Sequence, residues 1–361
     1  MIEDLDVPDA HRSIEGVPEP WANGVLTGHE AAARFLAQAY REGRMPHALL
    51  FEGIEGIGKA TLAFHLAGHI LSHADPAEAP ESLVPPDFSR PLWRQIAGGI
   101  HPAVLHIDRP FNQKTEKFAT GIPVEEIRRI THFLSRTAAD RGWRIVIVDP
   151  ADDMNRNAAN ALLKTLEEPP ARALFILVSH SSGRLLPTIR SRCQSISLQP
   201  LDDRAMTEAL RHAGAGIGLD ADGITPALLQ RAEGSVRKAL LLVAHGGIEI
   251  ADTTDSILDG KPFDLAKAQA LGGVLSGREA EVQYELFRDH LMSRIAGEAH
   301  RRAEAGQLRE AEQWSRFWST LGHEIAQAET YNLDRRQAVV ILLEKTHRAF
   351  QSSAPQSSAL E

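Results

Sequence analysis

The stretch that decides the fold is Gly53-Ile54-Glu55-Gly56-Ile57-Gly58-Lys59-Ala60. It follows the apolar run Ala48-Leu49-Leu50-Phe51, a predicted buried strand, and it precedes a helical pattern that begins at Lys59. Strand, glycine-rich turn and helix in this order are the context of a phosphate-binding P-loop. Glycines let backbone N–H groups converge on phosphate oxygens, and the helix N-terminus adds positive potential. The alternative is a glycine-rich turn without a ligand.

The P-loop departs from a hydrolysing site at its end. Ala60 stands where a Ser or Thr hydroxyl would hold Mg²⁺. Thr61 comes one residue later, and one helical step turns its side chain by about 100° away from the metal. We keep Thr61 only as a candidate nucleotide contact. The other candidates in the loop are Gly53, Gly56, Gly58 and Lys59.

A second departure follows the β-branched run Ile145-Val146-Ile147-Val148, which is typical of a central parallel strand. The strand ends in Asp149, the expected acidic partner of a nucleotide-bound metal. ATPases of this kind usually place a glutamate next, to orient the attacking water. Pro150 stands there instead, and a proline side chain can neither accept a proton nor orient water. Asp152 and Asp153 are close in sequence, but we do not expect them to replace that glutamate. The site is therefore predicted not to hydrolyse ATP efficiently, while binding of ATP or ADP without hydrolysis is left open, since Gly53, Gly58 and Lys59 are present.

Strand and helix patterns alternate as far as Pro200, which predicts a parallel sheet flanked by helices. Further strands are expected at 104–107, 174–178 and 195–198, and helices at 124–134 and 157–166. Thr27 and Glu30 have capping-box spacing at the start of an earlier helix. The predicted segments are a flexible N-terminus (1–22), an α/β nucleotide-binding-like domain (23–200), a helical lid (201–250), an all-α domain (251–350) and a disordered tail (351–361).

Composition narrows the functional class. The net charge of -9 argues against a chain that binds DNA by its own electrostatic field. The single cysteine, Cys193, excludes an intrachain disulfide framework and a cysteine-rich zinc site. No stretch reaches the roughly 20 apolar residues of a membrane span, and the N-terminus has no signal-peptide pattern. We expect a soluble cytoplasmic protein without membrane contact.

Three further segments resemble the AAA+ clamp-loader subunits of bacterial DNA polymerase III. Residues 154–170, Met-Asn-Arg-Asn-Ala-Ala-Asn-Ala-Leu-Leu-Lys-Thr-Leu-Glu-Glu-Pro-Pro, are similar to the motif that follows the acidic strand in that family. Residues 185–193 contain its Ser-Arg-Cys motif, and residues 234–240 resemble its arginine-bearing lid motif, sensor 2. The resemblance implies an AAA+ P-loop domain, a small helical lid and a C-terminal helical collar for oligomerisation.

A damaged nucleotide site beside an intact Ser-Arg-Cys motif resembles the delta-prime group of that family. The resemblance implies that Arg192 is an arginine finger, supplied in trans to the ATP site of an adjacent catalytic subunit. It also implies that Arg237 contacts nucleotide phosphates from the lid. The alternatives are a surface ion pair for Arg192 and an ordinary helix-surface arginine for Arg237. One of Ser179, His180 and Ser181 should act as sensor 1, the polar residue at the end of a central strand.

The resemblance implies a hetero-oligomeric clamp loader within the DNA-directed DNA polymerase holoenzyme. The partners would be catalytic ATPase and delta-type subunits, and the sliding clamp and primer-template DNA reached through the complex. We expect no catalysis by the chain alone. The family often carries a four-cysteine zinc module after the P-loop helix, but residues 69–102 contain no cysteine, so we predict no zinc and no metal ligands. The alternatives are a catalytic AAA+ ATPase subunit of the same clamp loader and an unrelated P-loop enzyme such as a nucleotide kinase.

Overall fold

The computed structural model describes residues 12–115, 117–135, 142–277, 280–331 and 333–352, with the side chain of Ser182 left out. The chain forms two compact units, Met1–Leu240 and Leu241–Glu361. The flexibility predicted for residues 1–11 and the disorder predicted for 353–361 lie outside the described residues. The separate lid predicted at 201–250 stays a prediction.

A five-stranded parallel sheet forms the centre of the first unit. The spatial order of its strands is β2-β5-β6-β1-β7. The strands are β1 (Ala48–Glu52), β2 (Val104–Ile107), β5 (Arg144–Val148), β6 (Ala173–Ser179) and β7 (Gln194–Ser197). A two-stranded antiparallel ribbon, β3 (Phe111–Asn112) and β4 (Lys117–Phe118), lies between β2 and β5 in sequence. This ribbon was not predicted.

The central strands are buried on both faces because alternate side chains enter two different apolar clusters. Ile145 and Ile147 of β5 pack on one side of the sheet, and Val146 and Val148 pack on the other. Complete burial of such a side chain contributes roughly 1.5–3 kcal/mol. The continuous apolar runs of the sequence therefore predicted a sheet covered by helices on both faces, and the structure confirms it.

Nine α-helices belong wholly or partly to the described residues of the first unit. They are α1 (Glu30–Arg41), α2 (Lys59–Ser72), α3 (Pro91–Ala97), α4 (Val124–Ser135), α5 (Arg156–Glu167), α6 (Pro187–Arg190), α7 (Asp203–Ala213), α8 (Pro226–Ala232) and α9 (Val236–Ala244). Helices α1 and α2 cover one face of the sheet, and α4 and α5 cover the other.

The predicted capping box at Thr27 is wrong. The α1 helix begins at Glu30 after the N-cap residue His29, and the Glu30 carboxylate accepts from Gly28 N at 3.1 Å. The Thr27 hydroxyl instead donates to Ala205 O at 3.3 Å. A tertiary partner for the hydroxyl has replaced the local backbone partner that the spacing favoured.

Residues 74–91 are rich in proline, acidic residues and serine, a composition that predicts a surface excursion, but they lead into a packed helix. Trp93 of α3 is 3% exposed, and its ring lies against Gly68 of α2, where an added Cβ would be 1.9 Å from the ring. Ala79, within the excursion, is fully buried. The predicted surface segment therefore contributes to the core on one side of the sheet.

The second unit is all-helical among the described residues. Its helices are α10 (Gly247–Asp259), α11 (Leu265–Leu275), α12 (Glu281–Glu304), α13 (Leu308–Thr330) and α14 (Arg335–Gln351). Val339, Leu342 and Leu343 of α14 pack inside its own core with Trp314 and Phe287. The parallel sheet with flanking helices and the helical second unit confirm the predicted fold class. Within the described residues, no helix is both long and apolar enough to cross a membrane.

Candidate functional site

The P-loop connects β1 to α2 and wraps around the side chain of Lys59. Lys59 is the first residue of α2, is 3% exposed, and donates from Nζ to Gly53 O at 2.7 Å and to Ile54 O. Gly58 precedes it with φ 95°, a left-handed conformation that favours glycine. An ammonium group has three N–H donors, so a third can reach a phosphate oxygen.

Burial lowers the pKa of Lys59 to about 8, although Asp149, Glu55 and Asp152 oppose the shift. The amine therefore still carries its charge in most molecules at pH 7. Ala60 and Thr61 both line the same cavity as Lys59, and the Thr61 side chain is 6% exposed. The methyl group of Ala60 offers no oxygen where a metal-binding hydroxyl was expected.

Asp149, which follows β5, lines the cavity together with Pro150 and Asp153. Burial raises the pKa of Asp149 to about 6, while Arg12 and Lys59 favour its ionised form. The Asp153 carboxylate is paired with Arg109 Nε at 2.6 Å and lies 3.8 Å from an amino group of Arg12. These contacts explain how an acidic cluster is tolerated at this edge of the sheet.

Asp152 joins the loop after β5 to the end of β6. One carboxylate oxygen accepts from Ser179 Oγ at 2.7 Å, and the other accepts from the backbone N–H groups of His180 and Ser181 at 2.5 and 3.0 Å. All three donors are on β6 or directly after it. Asp152 thus links the loop after β5 to the end of β6, and its lack of a catalytic role stays a prediction.

Of the three sensor 1 candidates, His180 lines the cavity. Ser179 is fully buried against Asp152, and Ser181 is exposed. Burial lowers the pKa of His180 to about 2, helped by the charges of Lys59, Arg12 and Arg237. The ring is therefore neutral, and its Nε2 lies 2.9 Å from an amino group of Arg12.

The start of α9 contacts the P-loop directly. Ser235 Oγ donates to Glu55 O at 2.8 Å, and Arg237 N donates to Gly56 O at 3.3 Å. The Arg237 side chain enters the cavity and pairs through Nε with Glu55 Oε1 at 3.1 Å. A Cβ at Gly56 would lie 2.4 Å from both Ser235 Oγ and Arg237 Cβ. The predicted lid motif is therefore placed on the phosphate loop.

Residues 12–21 line another side of the cavity, a contact that was not predicted. Arg12 Nε pairs with Glu55 Oε1 at 3.0 Å, and Arg237 donates to the backbone carbonyl of Arg12. Trp21 packs edge-on against Phe64 with ring centroids 5.7 Å apart. The apolar side chains of this segment that line the cavity are Ile14, Val17, Pro18, Pro20 and Trp21. Trp21 is partly buried, and the presence of a tryptophan in a segment predicted to be flexible was the available signal.

The structure thus brings most of the predicted nucleotide-binding residues to one cavity of about 210 Å³. Gly53 does not line this cavity, and its carbonyl accepts a hydrogen bond from Lys59. The predicted residues that line the cavity are Gly56, Gly58, Lys59, Thr61, Asp149 and Arg237.

Arg192 lies apart from these lining residues, in the turn that follows α6. Its guanidinium donates to Thr188 O at 2.9 Å and pairs with Glu167 Oε1 at 2.7 Å, and 35% of its side chain is exposed. The neighbouring Cys193 thiol has its pKa raised to about 12 by burial, so it stays protonated. This supports the interpretation of Cys193 as a packing residue rather than a nucleophile.

The described part of the chain holds no group of three or more His, Cys, Asp and Glu side chains arranged to bind a metal ion. The rings of His69 and His73 stack with centroids 4.8 Å apart, and His69 also packs on Tyr40. Burial, with the nearby His73, lowers the pKa of His69 to about 4. The absence of zinc stays a prediction.

Comparison with known sequences finds relatives of part of the chain. Residues 28–202 match the family model described as DNA polymerase III, delta subunit. The delta' subunit of DNA polymerase III from Pseudomonas aeruginosa is 39% identical over 147 residues, 41% of each chain. The Bacillus subtilis delta' subunit is 33% identical over 177 residues, 49% of each chain. Over residues 28–202 the chain is thus similar to the delta' subunits of DNA polymerase III.

The family match leaves the rest of the molecule uncovered. The chain spans about half the length, or less, of the delta-prime relatives it matches. The gamma subunit of DNA polymerase III from Buchnera aphidicola matches more of it, 64% of this chain and 62% of its own length, at 29% identity. A solved gamma subunit-related protein from Thermotoga maritima covers 89% of this chain and 99% of its own length, with 16% identity and a TM-score of 0.41.

Proposed function

We propose that this chain is a non-hydrolysing clamp-loader subunit of DNA polymerase III that supplies Arg192 to the ATP site of a neighbouring subunit. The observation that carries the proposal is the separation of two arginines. Arg237 enters the chain's own cavity, whereas Arg192 lies outside its lining and is partly exposed. An arginine finger acts on a neighbour's phosphates when it faces away from its own, and it can be supplied in trans.

The contacts of Arg192 suit a residue that is presented to a partner. The Thr188 carbonyl and the Glu167 carboxylate hold the guanidinium in one place. An exposed ion pair of this kind contributes only about 0–1 kcal/mol. An incoming phosphate can therefore displace Glu167 at small cost, while the hydrogen bond to Thr188 keeps the side chain in position.

Loss of hydrolysis rests on the residues around the chain's own cavity. Ala60 provides no metal ligand, and Pro150 cannot orient water. The two nearby carboxylates are already engaged, Asp152 by the end of β6 and Asp153 by Arg109. Binding of ATP or ADP is nevertheless part of the proposal, because Lys59 and Arg237 both line the cavity.

The partners follow from the same proposal. The relatives are named as subunits of DNA polymerase III, which supports a hetero-oligomeric clamp loader with catalytic ATPase and delta-type subunits. The helical second unit would serve as the collar that joins them. The net charge of -9 supports contact with the sliding clamp and primer-template DNA through the complex rather than by this chain alone. Such a subunit would act in the cytoplasm.

A second candidate is a catalytic ATPase subunit of the same clamp loader. The gamma and tau relatives favour it, since they match 64–67% of this chain. The two candidates differ in one measurement, ATP hydrolysis by the purified chain. The proposed function expects no turnover above background with DNA present. Turnover comparable with that of an intact P-loop ATPase would establish the second candidate instead.

The trans role is tested in a complex reconstituted with the catalytic and delta-type subunits of the same organism. ATP hydrolysis stimulated by clamp and DNA is measured for the wild type, Arg192→Ala and Arg190→Ala. Removal of an arginine finger lowers turnover by about 10³-fold or more when every site depends on it. With one dependent site among several, a loss of severalfold is expected. Arg190→Ala, an exposed arginine two residues away, should leave turnover unchanged. Equal turnover of the two variants, with assembly intact, would refute the assignment.

A further inference from the structure

The residues around the cavity do not fit a magnesium–nucleotide complex. Mg²⁺ at a nucleotide site is held by few protein oxygens and by the phosphates themselves. Here Ala60 lacks the hydroxyl, and the Asp153 carboxylate already pairs with Arg109 at 2.6 Å. Asp149 and Asp108 both line the cavity and their charges repel each other, but position 60 offers no hydroxyl to share a metal with them. The described residues hold no group of three or more His, Cys, Asp and Glu side chains arranged to bind a metal ion.

A guanidinium group lies on this side of the cavity instead. Arg12 contacts Glu55 at 3.0 Å, the Nε2 atom of His180 at 2.9 Å, and Asp153 at 3.8 Å. Among the charges acting on Asp149, Arg12 ranks ahead of Lys59. The Arg12 charge is therefore close to both the acidic strand end and the P-loop lysine.

Arg12, Lys59 and Arg237 thus bring three cationic groups to one cavity. The Glu55 carboxylate lies between the two arginines and accepts from both, through Arg12 Nε at 3.0 Å and Arg237 Nε at 3.1 Å. A guanidinium has five N–H donors and pairs with carboxylate and phosphate in the same geometry. Glu55 therefore occupies a place between two arginines that suits a phosphate group.

We propose that this cavity binds a nucleoside di- or triphosphate without a divalent cation, with Arg12 supplying the positive charge that Mg²⁺ supplies in a hydrolysing site. The arginine charge is permanent at physiological pH, and guanidinium is weakly hydrated compared with Mg²⁺. The metal-free complex would be held by Arg12, Lys59 and Arg237. This inference rests on nucleotide binding in the proposed function and is independent of the role of Arg192.

The test is binding of a fluorescent ADP analogue to the purified full-length chain, in Mg²⁺ and in EDTA. We expect dissociation constants within about threefold of each other in the two buffers. Arg12→Ala should weaken binding at least tenfold in both buffers, and Arg12→Lys should weaken it less. Arg44→Ala, an exposed arginine outside the cavity lining, serves as the matched control. Thermal melting of each variant checks that it is folded.

Three results would overturn the inference: binding of the wild type that is lost in EDTA, no binding of the analogue at millimolar concentration, or equal or tighter binding by Arg12→Ala. Arg192→Ala is included because the proposed function expects it to bind ADP like the wild type. If the inference fails while Arg192→Ala still lowers turnover in the reconstituted complex, the trans role stands and only the metal-free pocket is lost.

Discussion

The Arg192 guanidinium pairs with the Glu167 carboxylate at 2.7 Å, and Glu167 lies at the end of α5, far from Arg192 in sequence. In the proposed function this carboxylate competes with the partner's phosphates for the same guanidinium. The strength of the competition is small, because half of the Glu167 side chain is exposed and such pairs contribute about 0–1 kcal/mol.

Glu167→Gln should therefore raise the turnover of the reconstituted complex, by up to about fivefold, the factor that corresponds to ~1 kcal/mol. Glu168→Gln, the adjacent exposed residue, is the matched control and should leave turnover unchanged. ATP hydrolysis at saturating clamp and DNA is the measurement. A fall in turnover would mean that Glu167 positions Arg192 for catalysis rather than competing for it.

Asp149→Asn should stabilise the protein at neutral and alkaline pH. The folded-state pKa of Asp149, about 6, is above its usual value of 3.8, so the folded state binds the proton more tightly. Its contribution to stability is present below pH 4 and is lost as the pH rises through 6. At pH 7.5 the substitution should raise the free energy of unfolding by up to about 3 kcal/mol, since one pKa unit corresponds to ~1.36 kcal/mol.

The check is a comparison of melting temperatures at pH 7.5 and pH 4. The difference between variant and wild type should be largest at pH 7.5 and should shrink at pH 4, where the folded wild-type carboxyl is protonated and only about half of the unfolded one is ionised. A pH-independent difference, or destabilisation at both values, would contradict the role given to the buried charge.

Nucleotide binding should weaken as the pH rises. Lys59 has a pKa of about 8, so raising the pH from 7 to 9 removes its charge and weakens its attraction for phosphate. Asp149 acts in the same direction at lower pH, because its ionisation near pH 6 adds a negative charge to the cavity.

The measurement is a series of ADP titrations between pH 5 and pH 9, in which the dissociation constant should rise at both steps. A bound phosphate will shift the lysine step upward, since an adjacent anion favours the ammonium form. Asp149→Asn is the control: it should reduce the step near pH 6 and keep the one above pH 8. Part of the step near pH 6 remains because Asp108 lines the same cavity and burial raises its pKa to about 6 as well. A flat profile for the wild type would exclude Lys59 as a phosphate contact.

Much of the sheet could be predicted from the sequence because its strands are short apolar runs with glycine or proline beside them. The strand predicted at 145–148 spans Arg144–Val148 in the structure, and the helix predicted at 157–166 spans Arg156–Glu167. Both elements follow a local pattern of apolar residues, and this pattern can be recognised without knowing which distant residues they contact. The α3 helix was missed because seven residues between a proline-rich segment and a glycine pair carry little periodic signal.

The candidate site was predictable in its P-loop half and not in the half formed by distant residues. Lys59 and Gly58 are recognised by spacing alone. Arg12 reaches Glu55 across 43 positions, and nothing in the acidic, proline-containing segment around it indicates where its side chain ends. Long-range ion pairs of this kind depend on tertiary packing, so residues of the first segment could not be assigned to the cavity.

Gly56→Ala should destabilise the chain more than Gly43→Ala does. Both glycines have positive φ, 78° and 66°, so alanine costs roughly 1–2 kcal/mol in backbone strain at either position. At Gly56 the new Cβ would also lie 2.4 Å from Ser235 Oγ and Arg237 Cβ, whereas at Gly43 it would meet no atom within 4 Å. The difference between the melting temperatures of the Gly56→Ala and Gly43→Ala variants measures the cost of crowding the contact between the P-loop and the start of α9. Equal melting temperatures would show that Ser235 and Arg237 can move aside without loss of stability.

The closeness of Gly56 to α9 also bears on how such sequences are classified. A glycine at this position fulfils the phosphate-loop pattern whether or not a nucleotide is ever bound, because the positive φ and the close approach of Ser235 and Arg237 disfavour a side chain there. A descendant of this protein that had lost its ligand altogether would still keep the glycine, for reasons of packing. The motif therefore records ancestry and the shape of the loop, and the occupancy of the cavity has to be measured separately.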